Sequence, residues 1–157
     1  MTEMDPARGV VLVVDDEPGV RNLARRILER AGYGVVEAEH GAAALAVIDS
    51  ATRVDFLMAD LDMPVMRGEE MAKRIRAKRP DLKVLYVTAH VDSLFADRPQ
   101  LWEGEAFLDK PFSVDGLLQA ISLLQTGSIH EPAPQRASSF RRIFERLRRG
   151  QGGRDIT

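Results

Sequence analysis

The segment LVVDDEPGV, residues 12–20, runs an apolar stretch into three consecutive acids, Asp15, Asp16 and Glu17, before Pro18 ends the acidic run. Adjacent carboxylates 4 Å apart repel by about 4 kcal/mol at an effective dielectric near 20. A chain that places them together needs a compensating charge. Asp60 stands at the end of a second apolar run, VDFLMAD. Carboxylates are hard oxygen ligands, and a small set of them that leaves room for water and phosphate suits Mg²⁺ better than a soft metal. The chain has no cysteine, which excludes disulfides and thiolate metal sites and is compatible with a reducing cytosol. Thr88 could add a hydroxyl and Lys110 a fixed positive charge. Together these groups would accommodate a phosphoryl group.

For that chemistry the residues must meet, and the pattern of the chain says how. Short apolar runs alternate with helical periodicities, the mark of βα units and a parallel sheet. VVLVV (10–14) reads as a strand buried on both faces. Pro18 suits a first helical turn, and Val20, Leu23, Ala24, Ile27, Leu28 and Ala31 predict an apolar face that Gly32 ends. GVVEA follows as a strand, then a helix over about 41–50 with Ala44, Leu45 and Ile48 inward. VDFLMAD is the third strand, 69–79 a helix stopped by Pro80, KVLYVTA the fourth strand and EAFLDK a short fifth. Ser113 caps a last helix with Leu117, Leu118, Ile121 and Leu124 as its buried stripe. The helix between strands four and five is the least regular, because 92–98 allows barely two turns before Pro99.

In an open parallel sheet the ligand site lies beyond the carboxyl ends of the strands. That rule brings Asp15 and Asp16 after strand one, Asp60 at the end of strand three, Thr88 at the end of strand four and Lys110 after strand five to one rim. Each has a bland reading when taken singly. An acidic pair after a strand favours a helix N-terminus, Thr88 is a strand-end hydroxyl, Phe107 is core and Lys110 is surface. Their convergence on one rim favours a Mg²⁺ and phosphoryl site.

The motifs VVDDEP, DLDMPVMRG, VTA and FLDKPF, in this order and at these separations, resemble the CheY-like receiver domain of two-component response regulators. The resemblance covers about residues 9–128, and four short motifs matching together make it specific. It implies a flavodoxin-like, doubly wound (βα)5 fold, a five-stranded parallel sheet with helices on both faces. It further implies that Asp60 is the phosphoacceptor and attacks the phosphohistidine of a histidine kinase or phosphotransfer protein. Asp15, Asp16, Asp60 and the backbone carbonyl of Asp62 would hold Mg²⁺, and Lys110 would neutralise charge on the transferred oxygens. Thr88 would swing to the new phosphoryl group, Phe107 would turn inward as the switch aromatic, and the small Ala89 would leave a path for phosphodonor and water. The module would assist its own phosphorylation and dephosphorylation without being an enzyme acting on other molecules.

A phosphatase of the haloacid dehalogenase type is the rival reading, since DLD at 60–62 has its D-x-D form. Pro64 stands where that family places Thr or Val, the acidic pair precedes the nucleophile, and no insertion could form a cap. There is no Gly-x-x-x-x-Gly-Lys nucleotide loop either. Against the receiver pattern, Arg67 replaces an acid that often precedes the loop glycine, here Gly68. Pro99 and Trp102 fall where a fourth helix and its exit would lie, which bears on the output surface.

The 157 residues, 45% of them hydrophobic, suit one compact domain with a short appendage. The leader, 1–8, is polar with no signal-peptide core, and no run approaches a membrane span, so a cytoplasmic protein is expected. Net charge divides unevenly: residues 1–131 carry −7, whereas 132–157 carry +5 from seven Arg against Glu145 and Asp155. After a proline-punctuated linker, 129–137, the tail 138–157 contains SSFRRIFERLRR. There Phe140, Ile143, Phe144 and Leu147 form the stripe of a short basic amphipathic helix. At about 12 residues such a helix needs a surface to bury its stripe, and an acidic protein surface, including the receiver's own, is the expected one. The tail is too short for a DNA-binding domain with its own core. A stand-alone regulator acting through an unknown downstream protein is therefore expected, with the receiver module of a hybrid histidine kinase as the variant of that reading.

Overall fold

A computed structural model describes residues 8–90 and 104–126. Five strands, β1 (Val10–Val14), β2 (Gly34–Ala38), β3 (Phe56–Asp60), β4 (Lys83–Thr88) and β5 (Glu105–Asp109), form one sheet in the order β2-β1-β3-β4-β5. Every pairing is parallel, with Val11 opposite Val35 and Phe56, and Asp60 opposite Val87. The helices among the described residues are α1 (Pro18–Arg30), α2 (Gly41–Asp49), α3 (Gly68–Lys78) and α4 (Val114–Thr126). This is the flavodoxin-like doubly wound arrangement expected from the sequence. The proposed helix over 92–98, with Pro99 and Trp102, lies outside the described residues, as do the linker and the tail stripe Phe140, Ile143, Phe144 and Leu147.

Strand side chains alternate between faces, and the two faces build separate cores. Leu12, Val14, Leu57, Ala59, Val84, Tyr86 and Phe107 meet Ala44 and Ile48 of α2 and Met71, Ala72 and Ile75 of α3. Val11, Val13, Met58, Leu85, Val87 and Leu108 meet Ala24, Ile27 and Leu28 of α1 and Leu117, Ala120 and Ile121 of α4. All five residues of β3 are buried. A strand buried on both faces has no room for a register slip, so its last residue, Asp60, is fixed at the rim.

The helix starts follow local chemistry. Pro18 opens α1, the Nδ1 atom of His40 accepts the Ala43 N–H ahead of α2 at 3.0 Å, and Ser113 Oγ accepts the Gly116 N–H at 3.0 Å, as expected of a cap. One residue of the predicted α1 stripe lies elsewhere: Leu23 is 46% exposed. At 100° per residue it sits a full step behind Ala24, at the edge of an apolar arc centred between Ala24 and Ile27, so it faces solvent.

Candidate functional site

The carboxyl ends of β1, β3, β4 and β5 bring together Asp15, Asp60, Thr88 and Lys110, as the strand-end argument requires. Asp15, Asp60 and Thr88 are each at most 3% exposed, whereas Asp16 and Asp62 face solvent. The Lys110 ammonium lies 2.9 Å from Asp15 Oδ2, 3.4 Å from Asp60 Oδ2 and 4.0 Å from Glu17 Oε1. Backbone groups complete the frame. The Glu17 N–H donates to Asp15 Oδ1 at 2.9 Å and the Asp62 N–H donates to Asp60 Oδ1 at 3.1 Å. The Leu61 N–H donates to the Val87 carbonyl and the Lys110 N–H to the Thr88 carbonyl, tying the three loops to one another.

Burial sets the electrostatics. Desolvation pushes the Asp60 carboxyl up from its ordinary 3.8 to about 6; the Asp62 N–H opposes this, the Asp15 charge adds to it and Lys110 opposes it. Burial works against the charge on Lys110, but the Asp15 and Asp60 carboxylates outweigh it and hold its pKa above the usual lysine value. Asp60 is thus mostly ionised at pH 7, and it is held at a cost that a nearby cation relieves.

Asp15, Asp16 and Asp60 each present an oxygen within 4.8 Å of the others. An octahedral Mg²⁺ with ligands near 2.1 Å places them about 3 Å apart when adjacent and about 4 Å apart when opposite. The three acids therefore fit the ion with small side-chain adjustments, and the exposed side of Asp16 leaves room for water.

The loop from Asp60 to α3 is shaped by close approach. A Cβ on Gly68 would stand 2.3 Å from the Asp60 carbonyl oxygen, so only glycine lets the start of α3 press against the Asp60 backbone. In the same loop the Met66 N–H donates to the Pro64 carbonyl at 2.8 Å around Val65, whose φ is +70°. This is the rarer γ-turn, strained for a β-branched residue.

Thr88 Oγ1 donates to Asp62 Oδ2 at 2.9 Å and accepts the His90 N–H at 3.0 Å. Ala89 is exposed beside it. Phe107 is already inward: it is buried and its ring stacks on Tyr86, with centroids 5.0 Å apart and planes 25° apart. The structure therefore presents the inward placement of this aromatic while Thr88 is held on Asp62.

Sequence reasoning missed three contributors. The Asp62 side chain had been assigned only a backbone role, and its contact with Thr88 joins residues 26 apart. Arg21 donates to the Asp15 carbonyl at 2.6 Å and lies 3.7 Å from Glu37 on β2, supporting the acidic loop from beneath. Its place one helical turn after Glu17 is the one signal that could have found it. Glu17 approaches Lys110, although the sequence had placed it only among the repelling acids.

Among the described residues, an open parallel sheet thus gathers a buried carboxylate, a cluster of three acids and a lysine at its strand ends. The profile of the response regulator receiver domain matches residues 11–122, and the chain belongs to that family. It is similar to the DNA-binding transcriptional regulator NtrC of Escherichia coli K12, 35% identical over 123 residues that cover 78% of this chain and 25% of NtrC. It is also similar to the sensor kinase CckA of Brucella abortus, 34% identical over 71% of this chain and 12% of CckA. The chain thus spans a quarter or less of these relatives. Among solved structures it resembles the response regulator TrrA of Thermotoga maritima in complex with Mg²⁺ and BeF, with 34% identity, a TM-score of 0.63 and coverage of 74% of this chain and 98% of that one. No helix among the described residues is long and apolar enough to cross a membrane.

Proposed function

We propose that this receiver domain is a phosphorylation switch in which Asp60 accepts a phosphoryl group from a phosphohistidine of a histidine kinase or phosphotransfer protein, with Mg²⁺ as its cofactor. The observation that carries the reading is the buried Asp60 carboxylate, 3.4 Å from Lys110 and clustered with Asp15 and Asp16 at the strand ends. An ionised Asp60 oxygen attacks phosphorus as the bond to the donor imidazole nitrogen breaks, and the electron pair leaves with that nitrogen. Lys110 lies on the same side as the Asp60 oxygen it touches and offsets charge on the transferred group. Asp15, Asp16, Asp60 and the Asp62 carbonyl would hold Mg²⁺, which when bound supplies further neutralisation of the phosphoryl oxygens. Thr88 supplies a hydroxyl donor for the phosphorylated state, and the exposed Ala89 leaves the approach open.

The output is proposed to be protein contact rather than catalysis on a second substrate. The basic amphipathic stretch with Phe140, Ile143, Phe144 and Leu147 supports this, because its arginines complement an acidic partner surface. Incubation with acetyl phosphate and Mg²⁺ is expected to add one acid-stable, base-labile phosphoryl group that peptide mapping locates on Asp60. Equal labelling of Asp60→Ala would overturn the assignment, and steady hydrolysis of added phosphoesters would favour the phosphatase reading.

A further inference from the structure

We infer that the Asp62 carboxylate is a latch on Thr88, a positioning residue that holds the switch hydroxyl away from the phosphoryl position until the site is filled. The inference rests on the reading of Asp60 as phosphoacceptor and adds a residue that sets how readily the switch responds.

A threonine hydroxyl has one proton to donate. In this structure that proton goes to Asp62 Oδ2 at 2.9 Å, while the His90 N–H occupies the acceptor side of the same oxygen at 3.0 Å. Thr88 is 1% exposed, so its hydroxyl cannot turn to bulk water for another partner. A phosphoryl oxygen on Asp60 can only accept. To bond it, Thr88 must give up Asp62, and a hydrogen bond to a carboxylate is among the stronger ones available to a hydroxyl. The two interactions therefore exclude each other, and the affinity of the site for a phosphoryl group is reduced by whatever the Asp62 contact contributes.

The geometry also favours reversibility. Asp62 faces solvent, so its carboxylate is rehydrated when Thr88 departs and no charge is left buried. The Asp62 N–H that holds Asp60 Oδ1 at 3.1 Å belongs to the backbone and is kept when the side chain is shortened. Asp62→Ala should accordingly remove the latch and leave the fold and the proposed carbonyl ligand in place.

The test is a double-mutant cycle read by beryllofluoride affinity at saturating Mg²⁺, using the full chain. Asp62→Ala is expected to tighten beryllofluoride binding about ten-fold when Thr88 is present, the size expected for a charge-assisted hydrogen bond. In a Thr88→Ala background the same change is expected to alter affinity less than about two-fold. An equal gain in both backgrounds would mean that Asp62 acts only by its charge, and no gain in either would mean that it does not restrain the switch; both overturn the latch. A second readout needs no phosphoryl chemistry. Three-bond couplings should report a single χ1 rotamer for Thr88 in the metal-free parent and rotamer averaging in Asp62→Ala. Averaging already present in the parent removes the latch even if beryllofluoride binds. A parent that binds no beryllofluoride while showing the fixed rotamer points instead to failure of the phosphoacceptor reading, and the latch then has no switch to restrain.

Discussion

Beyond the amino ends of the strands, charged groups are matched to partners; beyond the carboxyl ends they are crowded. At the lower rim Asp55 accepts the Val10 N–H at 2.8 Å and meets Arg53 at 3.1 Å. Arg79 reaches across from the end of α3 to donate to the Ile48 and Thr52 carbonyls, each at 2.7 Å, and so closes the C-terminus of α2. Arg76 donates to the Leu82 carbonyl at 3.2 Å and stands 4.0 Å from the buried Glu105. At the upper rim Asp15, Glu17 and Asp60 lie within 4.0 Å of Lys110, Asp16 joins Asp15 and Asp60 in one carboxylate cluster, Asp60 is held with a raised pKa, and Val65 is strained in the adjoining loop. One end of the same sheet stabilises the fold, and the other gives up stability by crowding acids where the proposed cation and phosphoryl group would be favourable.

The contrast can be broken first at the lower rim. Arg79→Ala removes two hydrogen bonds from a charged, partly exposed donor and is expected to cost about 2 to 3 kcal/mol by urea denaturation. It should leave labelling by acetyl phosphate unchanged. A loss of labelling comparable to the loss of stability would show that the two rims are not separable.

At the upper rim the sign reverses. Asp60 binds its proton more tightly in the folded protein, with a pKa of about 6 against 3.8, so between about pH 4 and pH 6 the native state keeps a proton that the unfolded chain has released. Stability from this group is greatest below pH 4 and falls as the pH rises through 6. Asp60→Asn should remove that slope and stabilise the metal-free protein by roughly 2 kcal/mol at pH 7. Denaturation series at pH 4.5 and pH 7 in chelator check it; an Asn variant less stable than the parent at pH 7 would mean that the acceptor is not held under strain.

The same division explains what could be read from the chain in advance. Runs such as VVLVV and FLMAD declare strands buried on both faces, and a strand's last residue is then positioned by the sheet. That is why Asp15, Asp60, Thr88 and Lys110 were legible. What stayed hidden depends on long side chains and loop geometry. Arg79 looks like a solvated residue before a proline, yet its donors serve a helix end 31 residues earlier. Asp62 reads as a loop acid, and only the fold sets it against Thr88. Val65 is a β-branched residue that no propensity would place at positive φ. Leu23 fits the apolar spacing of α1 but falls on the edge of the arc.

The central claim, that the upper rim is a cation site built from mutually repelling acids, is tested most directly by thermal unfolding with and without Mg²⁺. At about ten times its dissociation constant, Mg²⁺ should stabilise the parent by roughly 1.4 kcal/mol through ligand linkage. The same shift is expected in Arg79→Ala, and none in Asp16→Ala. If Mg²⁺ stabilises Asp16→Ala as much as the parent, the acids at this rim do not form the site, and the account is contradicted.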